Sequence, residues 1–195
     1  QALEQKYELA YLKEDLVALL AESRDGLDRV KTIVVALKDF AHADSAEMVS
    51  ADLLVGLEST LKVASTDIRQ KADIVRELQP MPPVLCAPGQ INQVFMNMLV
   101  NAAHAIQGHG VITLRNGFDD HEVWVEIADN GPGIAPEHLS RVFEPFFTTK
   151  PVGQGTGLGL SVSWDIVVKQ HGGRIEVRSQ PGQGASFKVH LPRRR

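Results

Sequence analysis

Ile91-Asn-Gln-Val-Phe-Met-Asn97-Met-Leu-Val-Asn101-Ala-Ala-His104-Ala-Ile106 is an apolar helix pattern interrupted by asparagines. Its hydrophobic side chains recur three and four apart, the spacing of one buried helical face. Asn97 and Asn101 are four apart and share a face, with His104 three residues beyond. Each asparagine lowers helix propensity and needs partners if buried. Capping or core hydrogen bonding is the plain alternative, and two such residues in one apolar helix fit it awkwardly. A carboxamide oxygen suits Mg²⁺, with phosphates and waters completing the shell. His104, taken alone, fits a packed or surface histidine equally well. Pro88, with its fixed φ, suits the start of this helix, and Gly108 and Gly110 its end.

Working outward, Val111–Asn116 and Val123–Ile127 read as a hairpin around Asp119-Asp120, and Arg174–Arg178 and Ser186–Leu191 as a second across Pro181-Gly182. A helix is expected over Gly157–Gln170, and a short helical turn near Pro136–Val142. Upstream, Ala46–Ala51 reads as a strand, Leu53–Ala64 as a helix, and Ala72–Leu78 and Val84–Cys86 as strands. This order predicts an α/β fold, a two-layer sandwich of a mixed sheet with helices on one face, over 45–195. Residues 3 to about 42 carry Leu9, Leu12, Leu16, Leu19, Val30, Ile33, Leu37 and Phe40 on a 3-4 repeat. A forty-residue helix is roughly 60 Å long, so most of its seam must find another helix. A coiled-coil stalk and a dimerisation hairpin helix both satisfy that requirement for 1–44.

Bulk properties narrow the function. The net charge of −4 gives no reason to expect nucleic acid or an anionic membrane. No stretch is long and apolar enough to span a bilayer, and no secretory signal is present. The lone Cys86 has no partner for an internal disulfide, and a cytoplasmic setting is expected. The chain begins at Gln1 and not Met, which suggests a fragment.

Three more segments bear chemistry. In Asp129-Asn-Gly131-Pro-Gly133-Ile134, a carboxylate ends a strand before two glycines. It could accept a hydrogen bond from the exocyclic amine of adenine, where guanine presents a carbonyl, while the glycines admit a flat ring. A simple turn explains this segment alone. Gly155-Thr156-Gly157-Leu158-Gly159-Leu160 opens a helix, where free N–H groups and the helix dipole favour an anion. The pattern is neither a Walker A loop nor the dinucleotide fingerprint, and the Ser/Thr/Tyr kinase motifs are absent. Between these two lies Phe143-Glu-Pro-Phe-Phe-Thr-Thr-Lys150, whose Lys150 could close over phosphates or simply be solvated.

In this order and spacing, the four segments resemble the N, G1, F and G2 boxes of bacterial sensor histidine kinases. More broadly, 46–195 looks like the ATP-binding domain shared by those kinases, gyrases, heat-shock-90 chaperones and mismatch-repair ATPases. The Phe143–Lys150 form is similar to the nitrogen-regulation and dicarboxylate-sensor branch, and 22–42 look like the second dimerisation helix of that branch. The resemblance implies ATP and Mg²⁺ as ligands. It implies Asn101 as metal ligand and catalytic group, and Asp129 as adenine reader. Asn97, His104, Gly131, Gly133, Ile134, Lys150, Gly155, Thr156, Gly157, Leu158, Gly159 and Leu160 would surround the nucleotide, with Ser186 helping the adenine amine through water. It implies a homodimer through the N-terminal helix and a response-regulator receiver domain as partner.

The related hydrolysing ATPases place a glutamate four residues before the metal-binding asparagine, where it activates water. Here that position is Asn97, which cannot act as a base. None of the seven histidines fits the family's phosphoacceptor motif, so the acceptor is expected on a preceding helix and self-phosphorylation is not expected. The competing readings are an ATP-hydrolysing conformational machine and a non-enzymatic, nucleotide-responsive dimerisation module.

Overall fold

The computed structural model describes residues 47–151 and 155–193, and before them 15–17, 19, 20, 23, 24, 26 and 27, all helical. The expected helix over 3–42 therefore lies largely outside the described residues. Leu16, Val17, Leu19, Leu20 and Leu27 are exposed.

The elements run β1 (Val49–Ala51), α1 (Leu53–Val63), α2 (Ser65–Arg69), β2 (Ala72–Glu77), β3 (Val84–Cys86), α3 (Pro88–Ala105), β4 (Gly110–Phe118), β5 (Glu122–Asp129), α4 (Pro136–Leu139), α5 (Gly159–Trp164), β6 (Arg174–Ser179) and β7 (Ala185–Pro192). Five strands form one sheet in the order β2-β4-β5-β7-β6. Only β2 and β4 run parallel, so the sheet is mixed as expected. β1 and β3 pair antiparallel as a separate two-stranded ribbon. Nothing in the sequence separates such short strands from the main sheet.

Alternation along the central strands sorts the two faces. Ile112 and Leu114 of β4, Val123, Val125 and Ile127 of β5, and Phe187, Val189 and Leu191 of β7 are buried. They meet Leu57 and Leu61 of α1, Val94, Phe95, Met98, Leu99 and Ala103 of α3, and Val162 of α5 in one core. The opposite face carries charge pairs: Arg115 with Glu77 at 2.6 Å, Arg174 with Glu122, and Lys188 4.0 Å above the Trp124 ring. His190 is buried there between Glu122 at 2.8 Å and Glu176 at 3.2 Å. That face needs no helical cover because its polar groups partner one another.

α3 begins as its sequence suggests, with Pro88 in the first turn and Ala87 as cap. No side chain caps it; His171 ties it down instead. The Ala87 N–H donates to Nε2 at 3.0 Å, and Nδ1 lies 2.7 Å from the Ile166 carbonyl. An N–H can only donate and a carbonyl only accept, so the imidazole is neutral with its proton on Nδ1.

The helical run that opens with α5 ends at Gln170 as expected but starts late and changes its winding. It starts at Gly159, not Gly157, because Gly157 adopts φ +65°, outside the right-handed helical region. After Trp164 it widens into a π turn over Asp165–Gln170, closed by His171 N–H on the Ile166 carbonyl at 3.2 Å. α2 is an addition; its polar Ser65-Thr66-Asp67 start masks a helix anchored by buried Ile68.

Candidate functional site

The site lies where the ends of β5, α3 and α5 converge. Asp129, the last residue of β5, is half-buried on the helix-covered side. Its Oδ1 accepts the Gly131 N–H at 2.9 Å. Burial holds its carboxyl above the usual range, and N–H donors from Gly131 and Ala185 offset part of that shift. The backbone beyond it is tightly folded. A side chain on Gly131 would sit 2.8 Å from Asp129 Oδ1, and one on Gly133 would overlap the Gln180 carbonyl. Ile134 donates its N–H to Ser179 Oγ at 2.7 Å, and Ser179 in turn donates to the Gly184 carbonyl at 2.7 Å. The tip of the last hairpin thus braces the segment after Asp129.

On α3, Asn97 and His104 mark the two borders of a gap. Asn97 Nδ2 donates to the Gly159 carbonyl at 2.9 Å. His104 Nδ1 lies 3.3 Å from Lys150 Nζ. Asn101 sits between them on the same helix face and is half-buried. Helix geometry therefore places Asn101 along the stretch between the Gly159 contact of Asn97 and the Lys150 contact of His104. Burial pushes the Lys150 ammonium below its usual value. The lysine's backbone N–H donates to Thr148 Oγ1 at 3.2 Å, and the Gly155 backbone packs beside its stem.

The turn leading to α5 is interlocked with the segment before Lys150. Phe146 donates its N–H to the Gly157 carbonyl at 3.0 Å. It has φ 66°, the one positive value at a non-glycine among the described residues, and its ring is exposed. A Cβ on Gly157 would overlap the Phe146 carbonyl carbon. Thr156 Oγ1 accepts the Leu158 N–H at 3.4 Å, Leu158 is buried, and Leu160 packs against the core.

The structure thus brings together Asp129, Gly131, Gly133 and Ile134 at one end. Asn97, Asn101, His104, Lys150 and the run Gly155–Leu160 gather at the other. Ser186 does not join them. Strand alternation turns it to the opposite face of the sheet, where its hydroxyl donates to Glu126. Ala185, one residue earlier, lies on the Asp129 side, and its methyl group offers no hydroxyl for the part expected of Ser186. Ser163 is a contributor the sequence reading missed; its spacing of four from Gly159 was the available signal.

Among the described residues no cluster of His, Cys, Asp or Glu could hold a metal alone. An amide oxygen at Asn101 suits a hard cation that brings its own phosphate ligands.

The profile of the histidine kinase-, DNA gyrase B- and HSP90-like ATPases matches residues 86–195. The chain belongs to this family. Within it, the sensor histidine kinases ZraS of Escherichia coli K12 and of Klebsiella oxytoca are 35% and 37% identical over 91% of the chain. The E. coli kinase AtoS is 33% identical over 85%. The chain spans 37% of the length of E. coli ZraS and 27% of AtoS. The catalytic domain of the histidine kinase ThkA superposes with a TM-score of 0.68 at 29% identity, covering 75% of this chain and 98% of that domain. ThkA in complex with the response regulator TrrA gives 0.73 at 26%, covering 87% and 48%. The chain therefore carries the ATP-binding catalytic domain of a sensor histidine kinase. No described helix is long and apolar enough to cross a membrane.

Proposed function

We propose that this domain binds ATP with Mg²⁺ and donates the γ-phosphoryl group to a histidine on a dimerisation helix, for relay to an aspartate of a response regulator. The observation that carries this reading is the order Asn97, Asn101, His104 along α3, bracketed by the Gly159 carbonyl and Lys150. That order sets one amide oxygen between an anion-favouring helix start and an ammonium, as a metal–triphosphate pair requires. Asn101 is the proposed metal ligand. Lys150, His104 and the N–H groups of Gly155–Leu160 would surround the phosphates, and Asp129 with Gly131, Gly133 and Ile134 would hold adenine. Magnesium, when bound, neutralises phosphate charge. The chain's own contribution is positioning, which suits a loose phosphoryl-transfer transition state.

Asn97 stands where a hydrolase would need a base, and an amide cannot take a proton from water at neutral pH. That favours a protein acceptor over hydrolysis. Exposed Leu16, Leu19, Leu20 and Leu27 favour homodimerisation through the N-terminal segment. The ThkA–TrrA complex makes a receiver domain the natural further partner, in the cytoplasm.

The test supplies this chain with labelled ATP, Mg²⁺ and, in trans, a dimerisation hairpin from its own full-length kinase. The expected result is acid-labile phosphate on the hairpin histidine and little on this chain alone. Rapid ATP turnover without the hairpin would move the reading to the hydrolysing ATPases. Binding without turnover or transfer would move it to a nucleotide-responsive module.

A further inference from the structure

We propose that Asn97 is a positioning residue: with Ser163 it clasps the Gly159 carbonyl and locks the phosphate-side start of α5 onto the helix that carries Asn101. The proposal rests on reading the pocket as a Mg-ATP site, and it gives Asn97 a role besides contact with nucleotide.

Three hydrogen bonds close a triangle. Asn97 Nδ2 donates to the Gly159 carbonyl at 2.9 Å and to Ser163 Oγ at 3.2 Å, and Ser163 Oγ donates to the same carbonyl at 2.8 Å. Ser163 is fully buried and Asn97 and Gly159 are half-buried, so solvent reaches these bonds only in part. Chemistry fixes the amide's orientation. A carbonyl only accepts, so the nitrogen must face Gly159. The Gly159 carbonyl oxygen and Ser163 Oγ are only 2.8 Å apart, so one Nδ2 hydrogen serves both and the second points outside the triangle. The other amide atom, Oδ1, is an acceptor and repels phosphate.

The clasp bears on the pocket through peptide geometry. The Gly159 carbonyl and the Leu160 N–H belong to one planar, trans unit and point in opposite directions. Holding the carbonyl toward α3 aims that N–H the other way, toward the open helix start. Ser161 does the same one residue earlier, donating to the Leu158 carbonyl at 2.9 Å and so orienting the Gly159 N–H. These groups are the anion donors of the helix start. Preorganised donors need no reorientation when charge arrives. The helix start has no side-chain cap, so the clasp supplies the restraint that a cap would otherwise give.

The experiment compares the whole chain with Asn97→Asp, Asn97→Ser, Ser163→Ala and the double variant Asn97→Ser/Ser163→Ala. Asn97→Asp keeps the shape but cannot donate. Calorimetry with ATP plus Mg²⁺ and, separately, with adenosine reads the two ends of the pocket. Each single variant should weaken ATP about tenfold or less, as loss of a buried hydrogen bond predicts, and leave adenosine unchanged. The double variant should lose less than the product of the single losses, because both residues serve one carbonyl.

A Ser163→Ala variant that binds ATP like the parent, while Asn97 variants do not, would overturn the clasp and make Asn97 a direct ligand. Equal losses for ATP and adenosine would reduce it to general stability. Hydrogen exchange reads the clasp without any nucleotide. The backbone N–H groups of Leu160–Ser163 should exchange faster in Ser163→Ala and Asn97→Ser. Unchanged exchange would also overturn the proposal. If the parent chain binds no ATP, the functional reading fails while the exchange result still decides the clasp.

Discussion

The two ends of the pocket are built differently. The Asp129 end is made of backbone: β5 stops in register with β7, and the Gly131–Ile134 segment is braced by the Ser179 and Gly184 hairpin tip. The phosphate end is made of side-chain clasps and a left-handed turn, with Asn97 on Gly159, Lys150 beside His104 and Phe146 against Gly157. Backbone packing has no slack, because a carbonyl cannot move without its strand. A side-chain contact can be lost without moving the main chain. The base end should therefore be brittle toward substitution, and the phosphate end more tolerant of it.

The largest effect should come from glycine at the brittle end. Gly184 has φ +83°, and a Cβ there would overlap the Asp129 carbonyl oxygen. Gly182, two residues away, has φ +79° but open space around it. Gly182→Ala should cost about 1–2 kcal/mol for the left-handed backbone alone. Gly184→Ala adds a backbone overlap and should exceed that by about 1–3 kcal/mol. Chemical denaturation of both variants checks this. Equal losses would show that the hairpin tip yields freely, and the contrast between the two ends would collapse.

A smaller and more selective effect is expected at Asn101. Asn101→Ala should leave the unfolding free energy nearly unchanged, since its side chain is half-buried and borders the pocket rather than the core. It should weaken Mg-dependent ATP binding by about 1.5–3 kcal/mol, the scale for a contact to a charged group, and leave adenosine affinity alone. Titrations with and without Mg²⁺ separate these outcomes. An unchanged response to Mg²⁺ would remove Asn101 as the metal ligand.

Much of this was legible in the sequence. Periodicity located α3 and the central hairpins, because burial on one face writes itself into spacing. The spacing of Asn97, Asn101 and His104 put them on one helix face. What stayed hidden depends on other chain segments. The tie between His171 and Ala87 spans 84 positions, and the partners of Asn97 lie 62 and 66 residues away. The strand that faces Asp129 was read correctly, but whether Ala185 or Ser186 turned inward was not. A one-residue slip in a strand reverses its faces, and the alternation of Phe187, Val189 and Leu191 was the available signal that puts Ser186 on the other face. The late start of α5 also eluded the pattern, since a left-handed Gly157 and a helical one look alike in sequence.

The smallest expected effect is a pH dependence at the base end. Burial raises the Asp129 carboxyl above the ordinary range. A carboxyl raised in the folded chain contributes stability below its unfolded value, and that contribution is lost as pH rises through the raised folded value. Glu122, drawn down chiefly by Arg174, has the opposite sign: its contribution is lost as pH falls through its lowered value. Binding follows Asp129 alone. In the proposed pose the ionised form accepts the adenine amine, so affinity should fall as pH drops through the raised Asp129 value, before ordinary carboxylates titrate. The slope cannot exceed about 1.4 kcal/mol per pH unit for one proton. Adenosine is the right probe, because it carries no phosphate whose own titration would intrude. Its affinity for the parent chain should decline on mild acidification, while Asp129→Asn should bind it more weakly at neutral pH and show no such decline. A parent and a variant with parallel pH profiles would detach Asp129 from the base and leave the brittle end without its assigned reader.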